Sequence, residues 1–337
     1  LKHHNKNAFE VHAFMTKDSD EISEILKESV ENWHEMQGVS TSDFFQKIQQ
    51  LGIHILVDLS GHTEGERLEV FALRAAPLQV TWWGFMQTLG MREMDYRLTD
   101  SIFSPTGTDN HYTEKLWRMN CLTAYMPPVN CDTSFESPWT KNGYVTMVSI
   151  NHSRKVSDEA LRIWQRVLID NPSASLIIVT MEKTPEGARA LFQSRFEKFG
   201  MPMDRILAAP RLSMLEFMRL ASIADFSLDS FPISGGVTTF HALWMGLPIL
   251  TIKPQQPIPL QAYTSNILQT VGLNECIATD EASYLSIASK WINHPVEIEQ
   301  IRKKCRSQLL MSPYMAIQER VSELENTFEK MWIEYKK

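Results

Sequence analysis

Leu228-Asp229-Ser230-Phe231-Pro232-Ile233-Ser234-Gly235-Gly236-Val237-Thr238-Thr239 reads as the end of a buried strand, a turn of small residues and the start of a helix. Glycines let a ligand approach the backbone closely. A helix start offers unpaired N–H groups and the positive end of its dipole, which suits a phosphate. Thr238 and Thr239 add hydroxyls. No Gly-Lys-Ser/Thr follows, so this is not a Walker loop. An ordinary strand-to-helix turn would carry the same letters. Upstream, Asp225 to Leu228 is the strand; downstream, Phe240 to Met245 is helical and residues 246–252 return as strand. Tyr144 to Ile150 and Leu176 to Val179 are further strands. Between them a helix opens at Ser157-Asp158-Glu159, buries Leu161, Trp164, Val167 and Leu168, and stops at Asn171-Pro172. Two more helices start at Asp280 and, with Pro313 in the first helical position, at Ser312. Alternating strands and helices predict a parallel α/β architecture.

The amino-terminal half follows the same logic. Ile22, Ile25, Leu26, Val30 and Trp33 at helical spacing predict a helix over 19–37. A second helix begins after Ser40 and ends at Gly52, a C-cap residue. Residues 53–59 are a β-branched, nearly continuous apolar run, as in a strand covered on both faces, and 78–83 is another strand. The proline-bearing, aperiodic stretch from Met126 to Pro138 marks a junction. Two domains are therefore expected, 1–130 and 131–337, the second ending in a long amphipathic helix.

Composition removes several function classes. With 337 residues the chain has room for an ordinary core. Lys plus Arg is 33 and Asp plus Glu is 40, a formal charge of −7, which argues against a general nucleic-acid surface. No apolar run approaches the roughly 18 residues that span a bilayer. Cys121, Cys131, Cys276 and Cys305 form no C-x-x-C pair and read as reduced thiols of a cytoplasmic protein. No G-x-S-x-G, H-E-x-x-H or G-x-G-x-x-G occurs, and no metal site is expected.

Two further residues invite chemistry. Lys155 follows the strand 144–150, at the carboxyl end where open α/β sheets bind ligands, and would meet a diphosphate as a point charge. A solvated surface lysine is the alternative. His54 and Asp58 alternate onto one face of the strand 53–59, so that an imidazole–carboxylate pair is one reading and a satisfied core histidine the other.

Several blocks, taken together in order and spacing, resemble one family. They are Gly52-Ile53-His54-Ile55-Leu56-Val57-Asp58-Leu59-Ser60-Gly61-His62-Thr63, then Phe71 to Gly84, Met94 to Asp100 and Tyr112 to Leu116. Lys155, Leu228 to Thr239 and Ala242 to Pro248 complete the set. The chain resembles the catalytic region of the protein O-linked N-acetylglucosamine transferases, including the plant SPINDLY-like and bacterial members. The resemblance implies a GT-B fold of two Rossmann-like lobes. It also implies metal-independent, inverting transfer of N-acetylglucosamine from UDP-N-acetylglucosamine to Ser/Thr hydroxyls of protein, with no cofactor. It places His54 and Lys155 in the catalytic set. Asn151, His152, Phe217, Gly235, Gly236, Val237, Thr238, Thr239 and His241 fall at the nucleotide sugar. It implies a further segment, absent here, before Leu1, so the amino-terminal lobe is expected to be incomplete, with tetratricopeptide repeats upstream.

The chain departs from that pattern. His241 stands where the family commonly has Asp or Glu against the ribose. Met86-Gln87 replaces a Pro-Gly, and Met214 and Phe217 fall near base-contacting Lys and His positions. These departures leave two alternatives: a nucleotide-sugar-binding or scaffold protein without transfer, and a transferase using another donor such as GDP-fucose.

Overall fold

The computed structural model describes residues 1–129, 136–255 and 258–337. Cys131 and part of the expected junction lie outside them. The chain forms two compact units, one from Leu1–Ala124 with Ala316–Lys337 and one from Tyr125–Met315.

The first unit opens with β1 (His12–Met15), α1 (Glu21–Lys27) and β2 (Asn32–Glu35), and β1 and β2 pair in parallel, His12 opposite Asn32. The helix expected over 19–37 is thus seven residues long. Asp20 caps it by a reciprocal box with Ser23, and it ends at Glu28. The apolar spacing misled: Ile22, Ile25 and Leu26 are exposed, and Trp33 belongs to a strand. Then come α2 (Thr41–Leu51), β3 (Ile55–Asp58), α3 (Leu68–Ala72), β4 (Leu78–Thr81), β5 (Tyr96–Asp100) and β6 (Lys115–Met119). Ser40 accepts the Asp43 N–H at the start of α2, and Gly52 closes it at φ 64°, where a side chain would be strained. Strands β3 to β6 form a four-stranded parallel sheet in chain order.

The second unit holds α4 (Trp139–Asn142), β7 (Thr146–Ser149), α5 (Asp158–Asp170), β8 (Ser175–Val179), α6 (Pro185–Lys198), β9 (Ile206–Ala209) and α7 (Met214–Phe217). It continues with β10 (Phe226–Leu228), α8 (Val237–Met245), β11 (Ile249–Ile252), α9 (Pro259–Thr270), β12 (Ile277–Ala278), α10 (Glu281–Asn293) and α11 (Pro295–Leu310). Its six strands are parallel, ordered β12-β11-β10-β7-β8-β9. From β7 the chain winds one way through β8 and β9, then returns to β10 and winds the other way. The order therefore reverses between β7 and β10, the switch point at which the carboxyl ends of such a sheet leave a crevice. Trp164, Leu161 and Leu168 of α5 and Leu243 and Met245 of α8 are fully buried, as expected for a doubly covered sheet.

The last helix, α12 (Ile317–Tyr335), was expected to close the second unit and instead belongs to the first. Glu334 accepts from the Tyr96 hydroxyl at 2.8 Å and lies 3.3 Å from the Lys115 ammonium, and Glu323 accepts the Asn120 N–H. An apolar stripe reveals that a helix packs, not on what. Ser312 and Pro313 do not start it. Pro313–Met315 is a separate 3-10 turn, and the backbone breaks at Ala316 before the helix begins.

Candidate functional site: a lysine at an uncapped helix start

The carboxyl ends of β7 and β10 carry the residues singled out around the glycine turn. After β7 the chain makes a 3-10 turn, Ser153–Lys155, capped by His152, whose Nδ1 accepts the Arg154 N–H at 3.1 Å. This turn folds Lys155 back so that its ammonium donates to the Ser234 carbonyl at 2.9 Å, directly before Gly235. Burial pushes the Lys155 ammonium below the usual lysine value, and the negative charge of Asp229 pulls it back up.

Gly236 occupies the N-cap position of α8 and brings no capping side chain. The N–H groups of Val237 and Thr238 thus keep the outward-facing donors of a helix start, next to a cation. Gly235 and Gly236 differ sharply. A Cβ on Gly235 would lie 2.8 Å from Thr239 Oγ1 and 3.0 Å from both Asn151 Oδ1 and Thr238 Oγ1. A Cβ on Gly236 meets nothing within 4 Å. One glycine lets the turn pack on its supports, and the other leaves the helix mouth open.

The supports form a buried polar network. Asp229 accepts from Gly235 N–H at 2.8 Å, Asn151 Nδ2 at 2.7 Å and Thr251 Oγ1 at 2.7 Å. The Asn151 carbonyl accepts from Thr238 Oγ1 at 2.6 Å. The Thr239 hydroxyl pairs with that of Thr264 at 2.9 Å. Asn151, Thr238 and Thr239, expected to face a nucleotide with their side chains, use those side chains to hold the turn instead. What remains available at the turn is backbone N–H and the Lys155 ammonium. Burial pushes the Asp229 carboxyl above its ordinary value, against the hydrogen bonds it receives.

His241 lies one turn further along α8. Its Nδ1 is 2.9 Å from the Tyr125 hydroxyl, and its ring meets Phe217 edge-on at 5.9 Å. Burial lowers its pKa to about 4, so the imidazole is neutral near pH 7.

His54 belongs to the first unit. It precedes β3, is exposed, and its ring meets that of Trp332 of α12 at 4.8 Å, tilted by 35°. Asp58 does not pair with it. That carboxylate is buried and accepts from Ser60 N–H, Gly61 N–H and Thr81 Oγ1. The strand rise of about 3.3 Å per residue explains the correction, since residues four apart on one face stand ~13 Å from one another. The carboxyl end of β3 carries His62, whose Nε2 is 3.0 Å from the Leu89 carbonyl. Reading the residues alone missed Asp229 and Tyr125. Asp229 was legible as a charge inside an apolar strand-to-turn segment, whereas nothing local marked Tyr125. Among the described residues no cluster of three His, Cys, Asp or Glu could hold a metal ion. No helix among them is long and apolar enough to cross a membrane.

The model of glycosyl transferase family 41 matches residues 1–127 and 139–324. The chain is 30% identical over 305 residues to the probable UDP-N-acetylglucosamine--peptide N-acetylglucosaminyltransferase SPINDLY of Eustoma exaltatum subsp. russellianum, covering 90% of this chain and 33% of that protein. It is 26% identical over 340 residues to the Arabidopsis thaliana protein of the same description named SEC, covering 98% of this chain and 34% of that one. The chain thus spans about a third of the length of these curated relatives. Among solved structures, a mutant of the Thermobaculum terrenum O-GlcNAc transferase superposes with a TM-score of 0.87 at 27% identity, over 99% of this chain and 64% of that one.

Proposed function

Since this chain belongs to glycosyl transferase family 41 and has its GT-B fold, we propose that it transfers N-acetylglucosamine from UDP-N-acetylglucosamine to Ser or Thr hydroxyls of a protein acceptor. The observation that carries the reading is the Lys155 ammonium against Ser234 O at the uncapped start of α8. In the reaction the acceptor oxygen bonds to the anomeric carbon, the bond from that carbon to the diphosphate oxygen breaks, and the hydroxyl proton passes to the departing diphosphate or to water. Negative charge grows on the leaving diphosphate. Lys155 and the N–H groups of Val237 and Thr238 are fixed donors at the place suited to receive it, and they need no reorganisation as the charge appears. Cys121, Cys276 and Cys305 are free thiols, which suits a reducing compartment, and we assign the activity to the cytoplasm.

His241 favours a second reading, sugar-nucleotide binding without transfer. A neutral imidazole tied to Tyr125 gives a ribose hydroxyl a weaker contact than a carboxylate would. The experiment that separates the readings measures UDP-N-acetylglucosamine turnover and UDP affinity for the wild type and Lys155→Met. Transfer predicts that the variant loses about 10²- to 10³-fold in turnover, the usual effect of removing one charge-stabilising donor. Binding alone predicts UDP affinity with no turnover in either protein. GDP-fucose turned over in place of UDP-N-acetylglucosamine would overturn the donor assignment.

A further inference from the structure

Asp229 is fully buried, yet no cation among the described residues forms an ion pair with it. Its three neutral donors come from three places: Asn151 after β7, Gly235 in the turn, and Thr251 in β11. An ionised carboxylate is costly to bury unless it is hydrogen-bonded and offset by an opposite charge. Two consequences follow from the geometry. First, Gly235 N–H points inward to Asp229, which orients the peptide before Gly236 and so the first turn of α8. Second, by accepting from Asn151 Nδ2, Asp229 decides which way that amide faces. The carbonyl is thereby left to receive Thr238 Oγ1 at 2.6 Å. The Ser234–Gly235 peptide joins the two charges: its carbonyl accepts from the Lys155 ammonium at 2.9 Å and its N–H donates to Asp229 at 2.8 Å, while the phenol of Tyr284 in α10 is a further titratable group on which the charge of Asp229 acts.

We propose that Asp229 is a positioning residue of the diphosphate site, fixing the glycine turn through Gly235 and Asn151 and serving as the counter-charge of the Lys155 ammonium. It acts through these groups and touches no substrate itself. The ligand class of the site, a nucleoside diphosphate, rests on the function proposed above; the coupling of Asp229 to Lys155 does not. Burial disfavours the charged lysine, and without the carboxylate it would surrender its proton at lower pH. A phosphate would then meet the neutral amine more often as the pH rises.

The test reads the lysine directly. The ¹³Cε resonance of Lys155 is followed against pH in the ligand-free wild type and in Asp229→Asn, and UDP affinity is measured separately by calorimetry. The titration midpoint is expected to fall by about one pH unit in the variant, as for loss of a nearby opposite charge. UDP affinity should fall about tenfold, and more at alkaline than at neutral pH. A purely structural carboxylate would lower affinity at all pH values alike and leave the lysine midpoint where it was, and that result would overturn the proposal. Should Asp229→Asn not fold, the coupling is read from the other side. Lys155→Met is expected to raise the titration midpoint of the Asp229 carboxyl, because the interaction is reciprocal. An unmoved carboxyl overturns the proposal equally. A wild type that shows the coupling but binds no UDP overturns the proposed function and leaves the role of Asp229 standing.

Discussion

Substituting Gly235 with alanine tests the packing of the turn at its tightest point. The added methyl would sit 2.8 Å from Thr239 Oγ1 and 3.0 Å from Asn151 Oδ1 and Thr238 Oγ1. None of these can retreat freely. Thr239 is bonded to Thr264, and Asn151 bridges Asp229 and Thr238. Forcing a methyl into such a site costs about 1–3 kcal/mol. For a unit of the size of Tyr125–Met315, that is a fall in Tm of about 2–10 °C. Displacing Thr238 also turns the first N–H groups of α8, so UDP affinity should drop at least about tenfold, or 1.4 kcal/mol. Gly236→Ala is the control. Its methyl meets nothing within 4 Å, and stability should stay within about 0.5 kcal/mol. Scanning calorimetry and UDP titration of both variants give the comparison. Gly235→Ala with wild-type Tm and wild-type affinity would refute the reasoning, and so would equal destabilisation of the two variants.

Other outcomes follow from features of each unit. The pKa of His241 is lowered to about 4 from an ordinary 6.5, so the unfolded chain binds its proton first. That contribution to stability, up to about 3 kcal/mol, is fully present above pH 6.5 and is lost as pH falls toward 4. Chemical unfolding at pH 7 and pH 4.5 should show the loss in the wild type and a smaller one in His241→Phe. Arg302 is buried and donates to the carbonyls of Ala221, Ala224 and Asp225. Arg302→Leu should cost about 3 kcal/mol by orphaning them, measured by urea unfolding. His54→Ala should leave turnover within about twofold, because an exposed residue before β3 lies away from the carboxyl ends that bind ligands. A large loss in that assay would restore His54 to the reaction.

The second unit was the more legible in sequence because its signals are local. Ser157, Asp280 and the Gly235-Gly236 turn each mark an element boundary with one or two letters, and the apolar runs between them are long enough to be read. The placement of Lys155 beside the turn followed from its position after a strand. The first unit hid more. Strand β1 is four residues long and α1 exposes its apolar side, so periodicity gave the wrong element. His54 was read by sequence spacing on a strand that starts one residue later. The destination of α12 and the partnership of Tyr125 with His241 are long-range, and no local pattern encodes a contact made more than a hundred residues away.

The return of α12 to the first unit sets an order of assembly. Every residue of the second unit leaves the ribosome before Ala316, whereas the first unit lacks α12 until residues 316–337 have followed. The second unit is therefore free to close before the first, which must wait for Ala316–Lys337 to arrive. Nascent chains stalled so that 1–315 but not 316–337 have emerged should accordingly be protease-resistant across 125–315 and cut within 1–124.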